Sequence, residues 1–162
     1  MPGGQIFLTA GLAKQLQTDG QIAGVLGHEI GHVVARHSAE QLAKSQLTQG
    51  LSGAAAIAIY DPDRPGTAAG AAAAALIGKL LSLNFSRDDE LDADQLSVRF
   101  ITEAGHDPGA LLQVMKILGE AGGESQMPEF FKTHPNPDNR LAFIRKAIQT
   151  QYPNGLPANL TP

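Results

Sequence analysis

The run GVLGHEIGHVVARH, residues 24–37, sets the hardest condition on any fold this chain can adopt. Ile22, Val25, Leu26, Ile30, Val33 and Val34 recur at helical spacing, so the segment predicts a helix with an inward-facing side. His28 and His32 stand four apart, close to one turn, and their side chains leave the same face. Buried imidazoles need partners. The fold must therefore bring a metal ion or other polar groups to this helix. Glu29 lies about 100° round from His28, near enough to reach a water on an ion held by the two imidazoles and angled away from ligating it. Zinc lowers the pKa of its bound water to about 7, and a carboxylate at that spacing can take the proton as water attacks a carbonyl. H-E-x-x-H is thus the spacing that metal-assisted hydrolysis requires.

Composition narrows the ligand set. The chain has no cysteine, which excludes disulfides and thiolate metal sites, so any metal must use His and Asp or Glu. Its 162 residues allow one domain with a real core, and 43% hydrophobic residues mark it as globular. A net charge of −4 without a basic patch gives a nucleic-acid partner no support. The opening MPGGQIFLTAGL has neither a basic start nor a long apolar run, so it does not read as a signal peptide. Its abrupt strand-like start reads as a domain cut from a longer chain.

Along the chain, residues 5–9 predict a short strand with Ile6 and Leu8 on one face, and Thr9 caps a short helix over 10–18. Thr18 or Asp19 caps the histidine helix, which is expected to run past residue 45 until DPDRPG stops it. LSGAAAIAIY (51–60) and TAAGAAAAALIGKLLSL (67–83) are too short or too interrupted to span a membrane. They predict a small-residue helical hairpin packed on the domain, with membrane-surface contact as the alternative. Ser86 and Asp89 make a capping-box-like helix start, Gly105 is a stop, Asp107 and Pro108 open the next helix, and Asp138 starts the last. The fold class is mainly α with one short N-terminal strand, residues 1–150 forming the domain and 151–162 a loose tail.

Two histidines do not complete a catalytic zinc site, which needs a third protein ligand and a fourth position for water. HExxHxxGxxH is excluded, because Ala35 and Ser38 occupy the places a third histidine would need. SRDDELDAD is the best source. Glu90 and Asp94 share a helix face, so one can ligate while the other accepts the free ring N–H of a ligating histidine. Asp88, Asp89 and Asp92 lie nearby, and spacing alone does not choose among them. An acidic first turn favoured by the helix dipole accounts for Asp88 and Asp89, and less well for Asp94.

HEIGHVVARH, with SRDDELDADQLSVRFITEAGHDP roughly sixty residues later, resembles the HtpX/BepA-type zinc metallopeptidases, gluzincins related to the CAAX prenyl proteases. PGGQIFLTAGL and THPNPDNRLAFI are similar to that family's segments before the HExxH helix and near the end of the domain. The four motifs stand in order over residues 1 to about 148. The resemblance implies a gluzincin-type fold with zinc held by His28, His32 and Glu90, with Asp94 supporting a bound histidine and Glu29 as general base. The family's H-P-x-x-x-x-R falls on His134, Pro135 and Arg140. His134 would lie near the metal, where it either closes the fourth position and holds the enzyme latent or, with Arg140, helps to stabilise an oxyanion. In the family a strand precedes PGG and borders the cleft, whereas this chain begins at that turn. An extended peptide adding to residues 5–9 would be the substrate mode such an edge offers.

Of the remaining histidines, His37 falls about half a turn from the metal face of a continuous helix and reads as structural or exposed, and His106 reads as a loop residue. Phe130 and Phe131 are loop anchors or pocket lining. The expected function is a zinc-dependent endopeptidase acting on proteins or peptides, and the resemblance implies envelope protein quality control in the bacterial periplasm or at the membrane periphery. The rival is a zinc-stabilised, latent or non-cleaving chaperone or binding module.

Overall fold

The computed structural model describes residues 4–64, 67–80, 85–121, 130, 133, 134 and 139–162. Among the described residues, seven helices follow in order: α1 (Ala10–Ala13), α2 (Asp19–Val34), α3 (His37–Ile59), α4 (Thr67–Leu80), α5 (Arg87–Glu103), α6 (Gly109–Ala121) and α7 (Arg140–Gln151). The chain divides into two compact units, residues 1–37 with 85–162, and residues 38–84.

Local chemistry sets most helix ends. Thr18 caps α2 by accepting from the Gln21 N–H. Ser86 and Asp89 form a reciprocal capping box at α5. Gly105, at φ +88°, takes the left-handed turn that ends α5. Asp107 Oδ1 accepts from the Gly109 N–H at 2.7 Å and so starts α6. The last helix begins at Arg140, and Asp138, its expected start, lies outside the described residues.

Four expectations are corrected. Residues 5–9 join no β-ladder among the described residues, because no second strand lies beside them; the lone β-bridge there pairs His106 with Thr161. Helix α1 stops at Ala13, well short of residue 18. The histidine helix does not run on past residue 45 as one rod. It ends at Val34, Arg36 takes φ +62°, and a new helix begins at His37. The tail is not loose. Thr161 N–H donates to Gly105 O at 2.9 Å, Asp107 N–H donates to Thr161 O at 2.8 Å, and Gly20 N–H donates to Pro162 O at 3.0 Å, which satisfies one of the free donors at the start of α2. As for the hairpin, α3 and α4 fall in the 38–84 unit, and no helix among the described residues is long and apolar enough to cross a membrane.

The core of the first unit gathers Val25 from α2, Val98 and Ile101 from α5, Leu111, Val114, Met115 and Leu118 from α6, and Ile144 and Ala147 from α7. Helices α2 and α5 run antiparallel and nearly touch backbone to backbone. A Cβ added at Gly27 would lie 2.9 Å from Ser97 Oγ, and one at Gly31 would lie 2.9 Å from Ala93 O and 3.0 Å from its Cα. Gly31 thus clears space for α5. Ser97 Oγ–H donates across this seam to Gly24 O at 3.1 Å. In an exposed helix interior Gly→Ala stabilises by about 1 kcal/mol. At Gly31 the sign should reverse: Gly31→Ala is expected to cost about 1–3 kcal/mol in urea unfolding, because the helices must part. Gly53→Ala, with open space around its Cβ position, should be neutral or stabilising. A Gly31→Ala variant as stable as the parent would contradict the close approach.

Candidate metal centre

The α2–α5 seam sets two pairs of polar side chains opposite each other. His28 and His32 come from α2, and Glu90 and Asp94 from α5; all four are buried, the two carboxylates at 0% exposure. Because the helices are antiparallel, His28 meets Asp94 and Glu90, and His32 meets Glu90. His28 Nδ1 lies 2.9 Å from Asp94 Oδ1. An ionised carboxylate can only accept, so the imidazole donates from Nδ1, and in its neutral form Nε2 keeps the lone pair. That Nε2 is 3.1 Å from His32 Nε2 and 3.4 Å from Glu90 Oε2, and His32 Nε2 is 3.4 Å from Glu90 Oε1.

His134 completes the cluster. Its Nδ1–H donates to Glu90 Oε1 at 3.0 Å, and its Nε2 stands 3.5 Å from Glu29 Oε1. One ligand atom from each of His28, His32, Glu90 and His134 falls within 4.8 Å of all the others. Phe130 stacks on His134 (centroids 4.4 Å apart, 10° between planes), and Phe85 stacks on His32 (4.1 Å, 22°). Glu29 points out of the seam and is the partly exposed member of the group, with 22% of its side chain accessible.

Arg140, 1% exposed, lies behind the cluster. Its Nε and Nη2 donate to Asp94 Oδ2 and Oδ1 at 2.7 and 2.9 Å. Its Nη1 is 3.0 Å from Glu90 Oε2, although neither atom makes a hydrogen bond of good geometry. Burial alone would raise the Glu90 carboxyl, but the neighbouring imidazoles of His134, His28 and His32 outweigh it and hold the group well below the usual carboxylate range. Asp94 is likewise lowered, its burial offset by hydrogen bonds from His28 and Arg140. Burial lowers His32 below its ordinary value, which favours the neutral ring a metal needs. For His28, burial also lowers, yet the hydrogen bond to Asp94 and the nearby Glu90 carboxylate prevail and the net shift is upward.

The donor set fits a zinc ion. Ligand atoms about 2.0–2.1 Å from a tetrahedral zinc stand roughly 3.3 Å apart. The spacings among His28 Nε2, His32 Nε2 and the Glu90 oxygens run from 3.1 to 3.4 Å. Glu90 Oε2, buried without a hydrogen bond, is the kind of orphan acceptor that a cation satisfies. Two buried carboxylates facing one buried guanidinium also leave the pocket net negative.

All the side chains expected at the site converge, apart from Pro135, which with Phe131 lies outside the described residues. The acidic run also separates: Asp88 is exposed and Asp89 caps its helix, whereas Glu90 and Asp94 turn inward. Two neighbours were missed. Phe85 gave no signal beyond lying just before the acidic helix. His37 was placed on the far side of a continuous helix; the break at Arg36 turns it back, so that it is buried with Nδ1 3.0 Å from His32 Nδ1. His106 is a loop residue as expected, its Nδ1 2.7 Å from Thr161 Oγ1.

Comparison with known proteins finds metallopeptidase relatives. Mitochondrial metalloendopeptidase OMA1 of Arabidopsis thaliana is 31% identical over 150 residues, covering 91% of this chain and 28% of that protein. The beta-barrel assembly-enhancing protease of Escherichia coli is 30% identical over 162 residues, covering 93% of this chain and 32% of its own length. The Schizosaccharomyces pombe OMA1 is 31% identical over 147 residues, covering 90% and 42%. The chain therefore spans less than half the length of each. Residues 1–148 match peptidase family M48, and the chain belongs to that family.

Proposed function

We propose that this chain is the catalytic domain of a zinc-dependent endopeptidase, with zinc held by His28, His32 and Glu90. The observation that carries the reading is the buried group of three histidines and one glutamate within 4.8 Å, beside the partly exposed Glu29. Bound zinc supplies Lewis acidity that polarises a carbonyl and acidifies water. Glu29 accepts a proton from the attacking water and delivers it to the leaving amine. Asp94 holds His28 with its Nε2 lone pair facing the pocket, and Arg140 fixes Asp94 and Glu90 in turn. With Nε and Nη2 donating to Asp94 and Nη1 beside Glu90, Arg140 works as a clamp behind the ligands. His134 assists by facing the developing oxyanion. The substrate is an unfolded or extended protein segment. The parent chain acts in envelope protein quality control, in the periplasm or at a membrane periphery; the name of the Escherichia coli relative, which ties it to β-barrel assembly, supports this.

A second reading has its own support. His134 belongs to the same group of four as the other ligands, so it can close the fourth position and hold the site latent. Under either reading Glu29→Gln is expected to retain one zinc per chain by elemental analysis. Under the peptidase reading it should lose casein cleavage by about 10²–10⁴-fold. His134→Ala then separates the two: faster cleavage indicates a cap, slower cleavage an assisting group. A zinc-free parent chain after incubation with zinc would overturn both.

The clamp has an independent test in stability. Arg140→Met removes the counterion of two buried carboxylates and is expected to cost about 3–5 kcal/mol in chemical unfolding. A loss under about 0.5 kcal/mol, as for a surface charge, would contradict it.

A further inference from the structure

The two metal-facing histidines of α2 are oriented by different devices. His28 has the direct carboxylate of Asp94 behind it. Behind His32 lies a second imidazole, His37, with Nδ1 to Nδ1 at 3.0 Å, and beyond it Asp92 Oδ2 and Asp89 Oδ1, at 3.3 and 3.9 Å from His37 Nε2. We infer that His37 is a positioning residue for metal binding, the middle link of a relay Asp92–His37–His32 that fixes the tautomer and orientation of His32. The inference rests on the zinc reading given above.

Tautomer logic carries it. For His32 to present the Nε2 lone pair to the pocket, its ring proton must sit on Nδ1. That Nδ1–H then donates, and the atom facing it, His37 Nδ1, must accept. His37 can accept there while neutral only if its own proton is on Nε2. Nε2 is the nitrogen that faces Asp92 Oδ2 at 3.3 Å, with Asp89 Oδ1 farther off at 3.9 Å, so a proton there points towards carboxylate. Every proton in the chain is therefore assigned without conflict. The opposite assignment is incompatible with a metal in the pocket: a proton on His37 Nδ1 would force His32 to accept at Nδ1 and to carry its proton on Nε2, the nitrogen that must offer its lone pair beside His28 Nε2.

The backbone supports the same conclusion. On an unbroken helix, a residue five places after His32 points about 140° away from it. The chain instead ends α2 at Val34, places Arg36 at φ +62°, and restarts at His37. A non-glycine residue in that region is uncommon and strained. Its effect is to swing the His37 ring, 6% exposed, onto His32.

The test uses the 162-residue chain and zinc, with affinity read by competition against a chromogenic chelator. His37→Leu is expected to weaken zinc binding roughly 10–100-fold. His37→Asn, whose amide oxygen can accept where Nδ1 did, should recover most of that loss. Asp92→Asn should weaken binding less than His37→Leu does, because Asp89 remains. A long-range nitrogen–proton spectrum of the histidine-labelled, zinc-loaded parent chain should show His37 protonated on Nε2 and His32 on Nδ1; it needs no variant and stays decisive should His37→Leu fail to fold. Protonation of His37 on Nδ1 would overturn the relay. So would equal zinc affinity in the parent and His37→Leu, or equal weakening by His37→Leu and a folded His37→Asn. A parent chain that takes up no zinc would overturn the zinc reading itself, an outcome distinct from these.

Discussion

The backbone contact between α2 and α5 is the constraint on which the rest depends. Glycines at 27 and 31 leave α2 without side chains where α5 crosses, and Ala93 and Ser97 supply the matching small surface. Only at that separation can imidazoles from one helix and carboxylates from the other reach a common point. A wider crossing, of the kind leucines on both helices would impose, would leave His28 and His32 short of Glu90. The same contact excludes water, so each carboxylate there needs an internal partner.

That need explains the layering behind the pocket. Asp94 gives one oxygen to His28 and both to Arg140, and Arg140 extends a further nitrogen towards Glu90. A guanidinium suits this place better than an ammonium, since its planar fork serves two carboxylates at once and stays charged when buried. Around the rim, Phe85 and Phe130 press on His32 and His134. Each histidine is therefore held on its ring face as well as at its nitrogens, which limits the tilt a ligand could adopt.

Much of this was legible because local rules operated without interference. Thr18, the Ser86–Asp89 box, Gly105 and Asp107 act through their own backbone neighbours and stand where spacing predicts. The H-E-x-x-H pair was equally plain, being a statement about one helical turn. Selecting Glu90 and Asp94 over Asp88 and Asp92 was harder, since both pairs are four apart. Spacing did not choose, and the pair came from the resemblance to a known family; in the structure Ala93, Ser97, Val98 and Ile101 are buried on the same face of α5 as Glu90 and Asp94. Other features depend on distant partners and had no local sign. VVARHS contains neither Gly nor Pro, so nothing announced the break at Arg36 or the return of His37. The tail residues Thr161 and Pro162 are held by hydrogen bonds to positions more than fifty residues away, which periodicity cannot express.

The unit at 38–84 lies, in chain order, between the helix that carries His28 and His32 and the helix that carries Glu90 and Asp94. Both ends of the insertion are therefore held by the α2–α5 contact. Closing such a loop costs entropy that grows only with the logarithm of its length, about 0.6 kcal/mol for each doubling. Lengthening or shortening that segment severalfold would change the closure entropy by less than one well-packed side chain contributes. The segment between the two ligand helices is thus the thermodynamically permissive part of the chain, where sequence can drift in length and composition while the metal-facing geometry is kept.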